Sequence, residues 1–495
     1  MTPPPDSATP IGRRQFLQGS AGGAGLLALG TLLQAERLWG APPVASPLAA
    51  RPSPFAPQAR SCIFIYLEGA PSQLDLFDPK PKLNELDGQA LPESLTAQVR
   101  FAFLQKETAR LMGSPRRFQP HGQCGTELSD LLPHLAGRVD DIALIRSMHT
   151  EAFNHHPGQL LLNTGSQMFG RPSMGSWLAY GLGSESENLP AYVVLTAGRG
   201  TSGGTSNWGS GFLPSNYAGV LFRNQGEPVL NLANPPGITP ALQAESIAGL
   251  GDLNRQRQAT LHDPEIASRI SAYELAFRMQ SAAPELIDLS GETAATQALY
   301  GLGRPEPDLG NWRGGPKGCF EAFSRNCLLA RRLVERGVRF VNLVHASWDH
   351  HSDLDRQLTL STQMADQPVA ALLADLRQRG LLDTTLVVWA SEFGRTPLGE
   401  NRKGYEKVTG RDHHPFAFSL WCAGGGIRGG QVIGETDEIG WNITRDPVHV
   451  HDLQATLMHL FGIDHRQLTH RHQGRDFRLT DVGGNLVPQL LPTPG

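Results

Sequence analysis

The feature that most constrains the fold is a series of short apolar runs separated by stretches with helical periodicity. The length of the runs and the turn residues around them are typical of buried β-strands. Strands that alternate with helices form a mostly parallel sheet with helices on both faces. We therefore predict an α/β fold with strands at Cys62–Leu67, Ile142–Arg146, Tyr192–Thr196, Arg339–His345, Leu386–Ala390 and Phe418–Cys422.

Helical patterns occupy much of the chain between these runs, and no internal repeat is present. Residues 197–230 are rich in Gly, Ser and Asn and predict loops over the ligand site, whereas residues 250–302 predict a helical inserted or capping subdomain. We accordingly predict one domain over residues 61–490 with these two insertions. The clearest helices are predicted at Glu321–Glu335, Leu354–Arg379 and Val450–Phe461.

Composition excludes several other classes of protein. The 495 residues include 55 Gly and 37 Pro, too many for a coiled coil, and 40 % hydrophobic residues, enough to fill a core. The net charge of −4 gives no reason to expect a nucleic-acid partner. The five Cys form no Cys-x-x-Cys pair, which excludes the common thiolate zinc and redox motifs. A disulfide between Cys319 and Cys327 remains open for an oxidising compartment.

The first forty residues have the pattern of an export signal. Arg13 and Arg14 precede a weakly apolar segment that is too short and too rich in Gly to serve as a permanent anchor. We predict a twin-arginine signal with its cleavage region over residues 1–43 and a linker over residues 44–60. The twin-arginine translocase is then a partner during export, and the mature protein is periplasmic or extracellular with no permanent membrane span.

Polar clusters lie beside the ends of most predicted strands. In open α/β sheets, ligands bind outside the carboxyl ends of the strands, so clusters at one edge predict a metal or catalytic site. Several of the chain's 17 His fall in these clusters. The five groups are Ser72 with Asp75, Asn154 with His155, Asp349 with His351, Glu392 with Arg395, and Asp412 with His413 and His414.

Oxygen and nitrogen ligands without a thiolate suit a divalent metal, first of all Zn²⁺, with Mn²⁺, Fe, Mg²⁺ or Ca²⁺ as alternatives. Asp349 and His351 are two residues apart at a strand end, where a loop can aim both at one ion. One of His413 and His414 is expected to join them. We slightly favour His414, because the proline after it restricts its backbone. Asp412 either binds the ion or orients an imidazole.

These motifs together resemble a known family. The resemblance extends over about residues 61–490, behind a matching export signal, and points to the exported bacterial family called domain of unknown function 1501. That family is regarded as part of the alkaline phosphatase and sulfatase superfamily. The resemblance implies a parallel core sheet covered by helices and a metal site at the strand ends. The motifs are Gly-Ala-Pro-Ser72-Gln-Leu-Asp75-Leu-Phe-Asp78-Pro-Lys-Pro, Phe-Asn154-His155-His156-Pro, Trp348-Asp349-His350-His351, Ser-Glu392-Phe-Gly-Arg395-Thr-Pro and Gly-Arg-Asp412-His413-His414-Pro.

The chain departs from that superfamily in two respects. The Cys/Ser-x-Pro-x-Arg motif that ordinary sulfatases convert to formylglycine is absent from the sequence. Superfamily members also commonly carry Asp-His or Asp-Asn where this chain has Glu392 and Phe393. Glu392 can still bind a metal, whereas Phe393 cannot, so one ligand is either missing or supplied by a residue such as His155. A full two-metal site is therefore not implied.

Metal-assisted hydrolysis of a phosphate or sulfate ester is the function that these patterns favour. Asp349, His351 and His414 would hold one ion. Asp75 and Glu392 would hold either a second ion or the same one. The alternative is a non-catalytic metal-containing protein that binds a glycan or an anion on the same scaffold.

The candidate catalytic residues each have a structural alternative. Ser72 occupies the position of the superfamily nucleophile, but it also suits a helix N-cap, in which case a metal-activated water attacks instead. Arg395 and Asn154 are candidates for stabilising the developing charge, and Arg395 would otherwise form an ion pair with Glu392 or Asp412. A serine hydrolase elbow at residues 200–204 is a weaker alternative, because no helical pattern follows it.

Overall fold

The computed structural model describes residues 46–91, 109–223, 225–261, 263–399 and 409–492, so the predicted export signal lies outside the described residues. The strands are β1 (Ser61–Leu67), β2 (Arg110–Leu111), β3 (Phe118–His121), β4 (Thr126–Ser129), β5 (Ile142–His149), β6 (Tyr192–Ala197), β7 (Val220–Phe222), β8 (Phe340–His345), β9 (Thr385–Ala390), β10 (Gly394–Gly399), β11 (Arg411–His414), β12 (Phe418–Ala423), β13 (Gln431–Ile433), β14 (Glu435–Thr436), β15 (Ile443–Arg445), β16 (Val448–His449), β17 (His470–His472) and β18 (Arg475–Phe477).

The α-helices alternate with these strands over much of the chain. They are α1 (Gln73–Leu76), α2 (Pro81–Glu85), α3 (His155–Thr164), α4 (Met174–Leu182), α5 (Pro240–Leu261), α6 (Pro264–Ile287), α7 (Ala294–Leu299), α8 (Cys319–Glu335), α9 (Leu354–Gln378) and α10 (Val450–Leu460). The three helices predicted most clearly correspond to α8, α9 and α10, with closely matching bounds. No helix within the described ranges is both long and apolar enough to cross a membrane.

The central sheet has nine strands in the order β13-β5-β12-β9-β1-β8-β6-β7, with β16 also paired to β5. Every pairing within it is parallel except those of β12, which runs antiparallel to both of its neighbours. All six predicted strands belong to this sheet, so the prediction of a mostly parallel α/β fold is confirmed. Because β12 is reversed, residues that precede it lie at the edge where the parallel strands end.

Helices cover the sheet on both faces, and alternate side chains of β1 enter two separate cores. Ile63 and Ile65 pack in the core that contains α8 and α9. Phe64 and Tyr66 pack in the core that contains α3, α4 and α10. Each fully buried side chain of this size contributes roughly 1.5–3 kcal/mol, so a one-residue slip of β1 would exchange the two sets at a large energetic cost. This placement fixes which residues after β1 reach the edge of the sheet.

A smaller antiparallel sheet, in the order β11-β10-β2, lies outside the central one. The segments around Arg395 and His413, where the sequence predicts no strand, form its strands β10 and β11. Both strands are buried although their residues are mostly polar and small. Periodicity searches recognise strands by apolar residues, and these strands have few.

Three other sequence-predicted regions can be located. The described part of the predicted linker bonds to the domain, with the Arg51 amide donating to the Leu182 carbonyl and the Gln58 amide to the Leu460 carbonyl. The region 250–302 holds the end of α5 together with α6 and α7. Cys319 and Cys327 are free thiols on α8. They are eight positions apart on the helix, or about 12 Å, well beyond the roughly 7 Å that a disulfide allows.

Candidate metal centre

The carboxyl ends of β1 and β8 approach each other closely where the predicted clusters begin. Gly69, at the end of β1, has φ +114°, and a Cβ placed there would lie 2.4 Å from the Asp349 amide nitrogen. A side chain at this position is therefore excluded. Ala70 and Ser347 adopt positive φ values of 63° and 77°, which cost about 1–3 kcal/mol each and are concentrated at functional sites. The loops after these two strands are thus strained around Asp349.

Four side chains converge at this point, namely His155, Asp349, His351 and His413, and we call them the metal cluster. One ligand atom from each lies within 4.8 Å of the others. Asp349 Oδ1 is at the centre, 2.7 Å from His351 Nε2, 3.2 Å from His413 Nε2 and 3.4 Å from His155 Nε2. The His351 and His413 Nε2 atoms are 3.0 Å apart. The cluster combines the first residues of α3, the loop after β8 and strand β11.

Hydrogen bonds made by Nδ1 of two imidazoles determine which nitrogen of each ring carries the proton and which faces the centre of the cluster. His413 Nδ1 lies 2.9 Å from the Phe153 carbonyl oxygen, which only accepts, so Nδ1 carries the proton. His155 Nδ1 lies 2.6 Å from Glu392 Oε1 and donates to it in the same way. Nε2 of both rings then faces the Asp349 carboxylate, and in the neutral His413 ring this atom carries a lone pair. A divalent cation at the centre would replace ring protons as the partner of the carboxylate, and three imidazole nitrogens with one carboxylate oxygen suit Zn²⁺, Mn²⁺ or Fe.

The same contacts shift the pKa values of the cluster. Burial alone would lower the pKa of His155, but its contacts with Asp349 and Glu392 raise it to about 9. Burial lowers the pKa of His413 to about 4. Burial would raise the pKa of Asp349, but the Arg395 guanidinium and the three imidazoles hold it well below its ordinary value. The Asp349 carboxylate therefore stays ionised at any physiological pH, as a metal ligand must.

Glu392 and Asp412 support the cluster from outside it. Glu392 accepts hydrogen bonds from the Tyr66 hydroxyl at 3.0 Å and the Gly69 amide at 2.8 Å as well as from His155. Asp412 Oδ1 accepts from the His413 amide at 2.8 Å and lies 4.0 Å from His351 Nδ1. These two predicted ligands thus sit behind the imidazoles, where carboxylates orient metal-binding rings.

Arg395 lies elsewhere than the sequence suggests. A residue that stabilises the developing charge must reach the substrate, but the Arg395 side chain is fully buried. Its guanidinium donates to the carbonyl oxygens of Gly69, Ala70 and Arg411 and to Asp349 Oδ1. The ion pair is formed with Asp349, not with Glu392 or Asp412. Arg395 therefore holds Asp349 in position, with four of its five N–H donors bound to protein groups and its side chain outside the cavity lining.

Ser72 and Asp75 belong to a separate group with Ser114 and Arg411, which we call the arginine cluster. Asp75 accepts from the Ser72 hydroxyl at 2.5 Å, the Ser114 hydroxyl at 2.6 Å and Arg411 Nε at 2.9 Å. Ser72, Asp75 and Arg411 are buried. Burial would raise the pKa of Asp75, but Arg411 and the two hydroxyls lower it. Ser72 precedes α1 in the N-cap position without a side-chain cap bond, because its hydroxyl is directed to Asp75.

His413 and His414 occupy opposite faces of β11. His413 enters the metal cluster, whereas His414 Nε2 lies 2.8 Å from the Trp441 carbonyl oxygen, away from the cluster. Burial lowers the pKa of His414 to about 4, so this imidazole is neutral. Successive strand residues always point to opposite faces. The proline after His414 restricts the backbone but does not decide which face meets the metal.

A cavity of about 660 Å³ opens onto the metal cluster. His155 and Asp349 form part of its wall, and Asn154 lies beside them with its side chain unused by the helix cap. Glu68 and Arg199 also line this cavity, and neither is among the site residues that the sequence predicts. Glu68 immediately follows β1, a position that marks it as a site residue. Arg199 lies in a loop without periodicity, and only the prediction that this loop covers the site points to it.

The comparisons with solved structures are remote. Ps i-CgsB in complex with k-i-k-neocarrahexaose is 11% identical, with 82% of this chain and 72% of that one covered and a TM-score of 0.35. PsFucS1 sulfatase from Pseudoalteromonas sp. is 11% identical, with 81% and 68% covered and a TM-score of 0.34. An alkaline phosphatase superfamily protein from Vibrio parahaemolyticus is 11% identical, with 88% and 74% covered and a TM-score of 0.35.

No curated protein matches the chain in sequence. One family model matches, and it extends from just before β1 almost to the end of the described residues, in agreement with the resemblance of the five motifs. Over residues 59–491 the chain matches the family described as Protein of unknown function (DUF1501), and it belongs to that family.

Proposed function

We propose that this protein is an exported, metal-dependent hydrolase of phosphate or sulfate esters. The observation that carries the proposal is the convergence of three imidazole nitrogens on the Asp349 carboxylate at the wall of a cavity. The resemblance of the motifs to the alkaline phosphatase and sulfatase superfamily supports the reaction class. The twin-arginine pattern supports the compartment, with the translocase as the partner during transport.

The metal cluster would hold the cation, with Zn²⁺ as the first choice. When bound, such a cation polarises an ester oxygen and acidifies a water molecule. The chain's own part is to present the ligands. Glu392 and the Phe153 carbonyl fix the proton on the outer nitrogens of His155 and His413, and Arg395 holds Asp349. This set describes a mononuclear site, which agrees with Phe393 replacing a ligand of the superfamily.

Water is the nucleophile in this proposal, and Ser72 is not. The Ser72 hydroxyl is buried in the arginine cluster and is not part of the cavity lining. The oxygen of water forms the new bond to phosphorus or sulfur, the ester bond breaks, and the alcohol leaves with a proton. Asn154 lines the cavity beside the cluster, and its free amide is suited to donate to the charge that develops on the ester oxygens.

The test uses the full chain, purified with its native metal. Metal content is measured by mass spectrometry, and hydrolysis is measured on a panel of aryl phosphates and aryl sulfates before and after chelation. Wild type should carry about one divalent metal per chain, and Asp349→Asn should lose it together with at least about 100-fold in kcat/KM. Asp252→Asn, which changes an exposed carboxylate on α5, is the matched control and should resemble wild type.

The outcomes separate the proposal from its alternative. An Asp349→Asn variant that keeps both metal and activity contradicts the assignment of the site. Stoichiometric metal without turnover of either ester class favours the alternative, a non-catalytic metal-containing protein that binds a glycan or an anion.

A further inference from the structure

Arg395 does not serve the anionic oxygens of a phosphate or sulfate ester, since its guanidinium is buried behind the metal cluster, outside the cavity lining, with four of its five N–H donors bound to protein groups. Arg199 supplies a guanidinium on the open side. It lies in the loop after β6 and lines the same cavity as His155 and Asp349. Its side chain is exposed and makes no hydrogen bond or ion pair within the described part of the chain. A cation with free donors thus stands at the entrance to the cluster.

Buried polar side chains hold the loop that carries Arg199 by hydrogen bonds. Glu68 accepts hydrogen bonds from the Ser202 hydroxyl at 2.6 Å and from the Ser202 amide at 3.1 Å. Gln159, which is fully buried on α3, accepts from the Gly203 amide at 3.1 Å and donates to Glu68 at 2.7 Å. Charge-assisted bonds of this kind are stronger than neutral ones. The loop backbone is therefore held against the cavity, a few residues from Arg199.

The start of helix α3 adds positive potential to the cavity. Asn154, His155 and His156 begin the ten-residue helix α3, and all three line the cavity. Amide groups in the first turn of a helix carry a partial positive charge that favours anions. His156 Nε2 lies 3.3 Å from the Ser202 carbonyl oxygen, which links this helix end to the Arg199 loop. A tetrahedral oxyanion in the cavity would meet the Arg199 guanidinium and the partial positive charge at the start of α3.

We propose that Arg199 binds the sulfate or phosphate group of the substrate through the two parallel donors of its guanidinium, and so acts as a specificity-determining residue. This inference rests on the proposed function, because it assigns the substrate anion to the same cavity. The chemistry shared by the two ester classes is a tetrahedral oxyanion, and Arg matches its geometry better than a point charge does.

The test compares metal-loaded wild type with Arg199→Ala, Arg199→Lys and the control Arg257→Ala, which changes an exposed arginine on α5. Titration calorimetry measures the affinity for inorganic sulfate and, in a separate arm, for inorganic phosphate, and mass spectrometry measures metal content. Arg199→Ala should weaken binding of the preferred oxyanion by roughly 10- to 100-fold at unchanged metal content. Arg199→Lys should recover part of the loss, and Arg257→Ala should bind like wild type.

Equal oxyanion affinity in wild type and Arg199→Ala, at equal metal content, would overturn the inference, and so would a metal-loaded wild type that binds neither ion. Oxyanion binding that depends on Arg199 in a protein that hydrolyses no ester would support this inference while refuting the hydrolase. Where an ester is hydrolysed, Arg199→Ala should also lower kcat/KM for it by a similar factor.

Discussion

The metal cluster and the arginine cluster each surround one aspartate carboxylate, Asp349 and Asp75, but they differ in how the polar atoms around it are satisfied. In the arginine cluster, the Asp75 carboxylate receives hydrogen bonds from two hydroxyls and a guanidinium, and every contact joins a donor to an acceptor. In the metal cluster, His413 directs its Nδ1 proton to the Phe153 carbonyl, so its Nε2 lone pair faces the Asp349 carboxylate and an acceptor meets an acceptor. The first arrangement is complete within the protein, and in the proposed function a cation completes the second.

This difference separates structural from functional carboxylates better than residue type does. A buried carboxylate is costly unless it is paired and hydrogen-bonded, and Asp75 meets that condition within the protein. Asp349 has Arg395 on one side only, and its other neighbours are imidazole nitrogens. We therefore expect substitutions in the two clusters to affect different properties, metal binding in one case and folding stability in the other.

The largest effect is expected for His413, and its neighbour provides the matched control. His413→Gln removes a lone pair from the metal cluster and should weaken metal affinity by at least about 100-fold, since even outer partners of metal ligands commonly contribute 10- to 100-fold. His414→Gln changes the side chain on the other face of β11 and should leave metal affinity unchanged. Competition with a chelator of known affinity measures both variants. The opposite pattern would show that β11 presents His414 to the metal.

The second effect concerns stability and the arginine cluster. Asp75→Asn removes the charge that compensates Arg411, and both side chains are almost completely buried. Breaking one partner of a buried ion pair costs about 3–5 kcal/mol, which denaturant unfolding should show as a lower free energy of unfolding. The folded variant should still bind metal. Asp252→Asn breaks an exposed pair with Arg255 and should change the unfolding free energy by less than about 1 kcal/mol.

The pH dependence of this stability loss has a defined sign. The pKa of Asp75 is below its ordinary value of 3.8 in the folded protein, because Arg411 and two hydroxyls outweigh the effect of burial. Asp75 therefore contributes stability above pH 3.8 that is lost as the pH falls through its folded-state pKa. The difference in unfolding free energy between wild type and Asp75→Asn should be constant near neutral pH and shrink below pH 3.8. A difference that grows in acid would contradict the ion pair.

The sequence predicts the architecture and part of the site for physical reasons. Apolar runs identify buried strands, and the ends of parallel strands bring Asp349 and His351 to one edge. Which neighbour joins them depends on long-range geometry. His413 and not His414 enters the cluster because the antiparallel pairing of β10 and β11 fixes the face of the strand, and neither strand has an apolar pattern.

The roles of the arginines are the part of the site that is hardest to predict from the sequence. Arg395 and Arg199 both follow strands and are chemically identical in the sequence. One is inserted among carbonyl oxygens behind Asp349, and the other remains exposed above the cavity. Only the fold decides which guanidinium has free donors, because the acceptors of Arg395 come from loops distant in the chain. The same reason separates Asp75 from Asp349, since Arg411 and Ser114 reach Asp75 from other segments.

The substitution Ser72→Ala should have the smallest effect on kcat/KM, and it is the most informative about the mechanism. Ser72→Ala removes one hydrogen bond to Asp75. A hydrogen bond to a charged group contributes about 1.5–3 kcal/mol to stability. The loss should not exceed this contribution, because Ser114 and Arg411 still satisfy the carboxylate. If water is the nucleophile, kcat/KM on the hydrolysed ester should stay within about twofold of wild type, since the hydroxyl neither lines the cavity nor contacts the metal cluster. Steady-state kinetics on folded, metal-loaded protein measures this. A loss of about 1,000-fold or more at unchanged metal content would identify Ser72 as the nucleophile, and would require α1 and the arginine cluster to rearrange before the reaction.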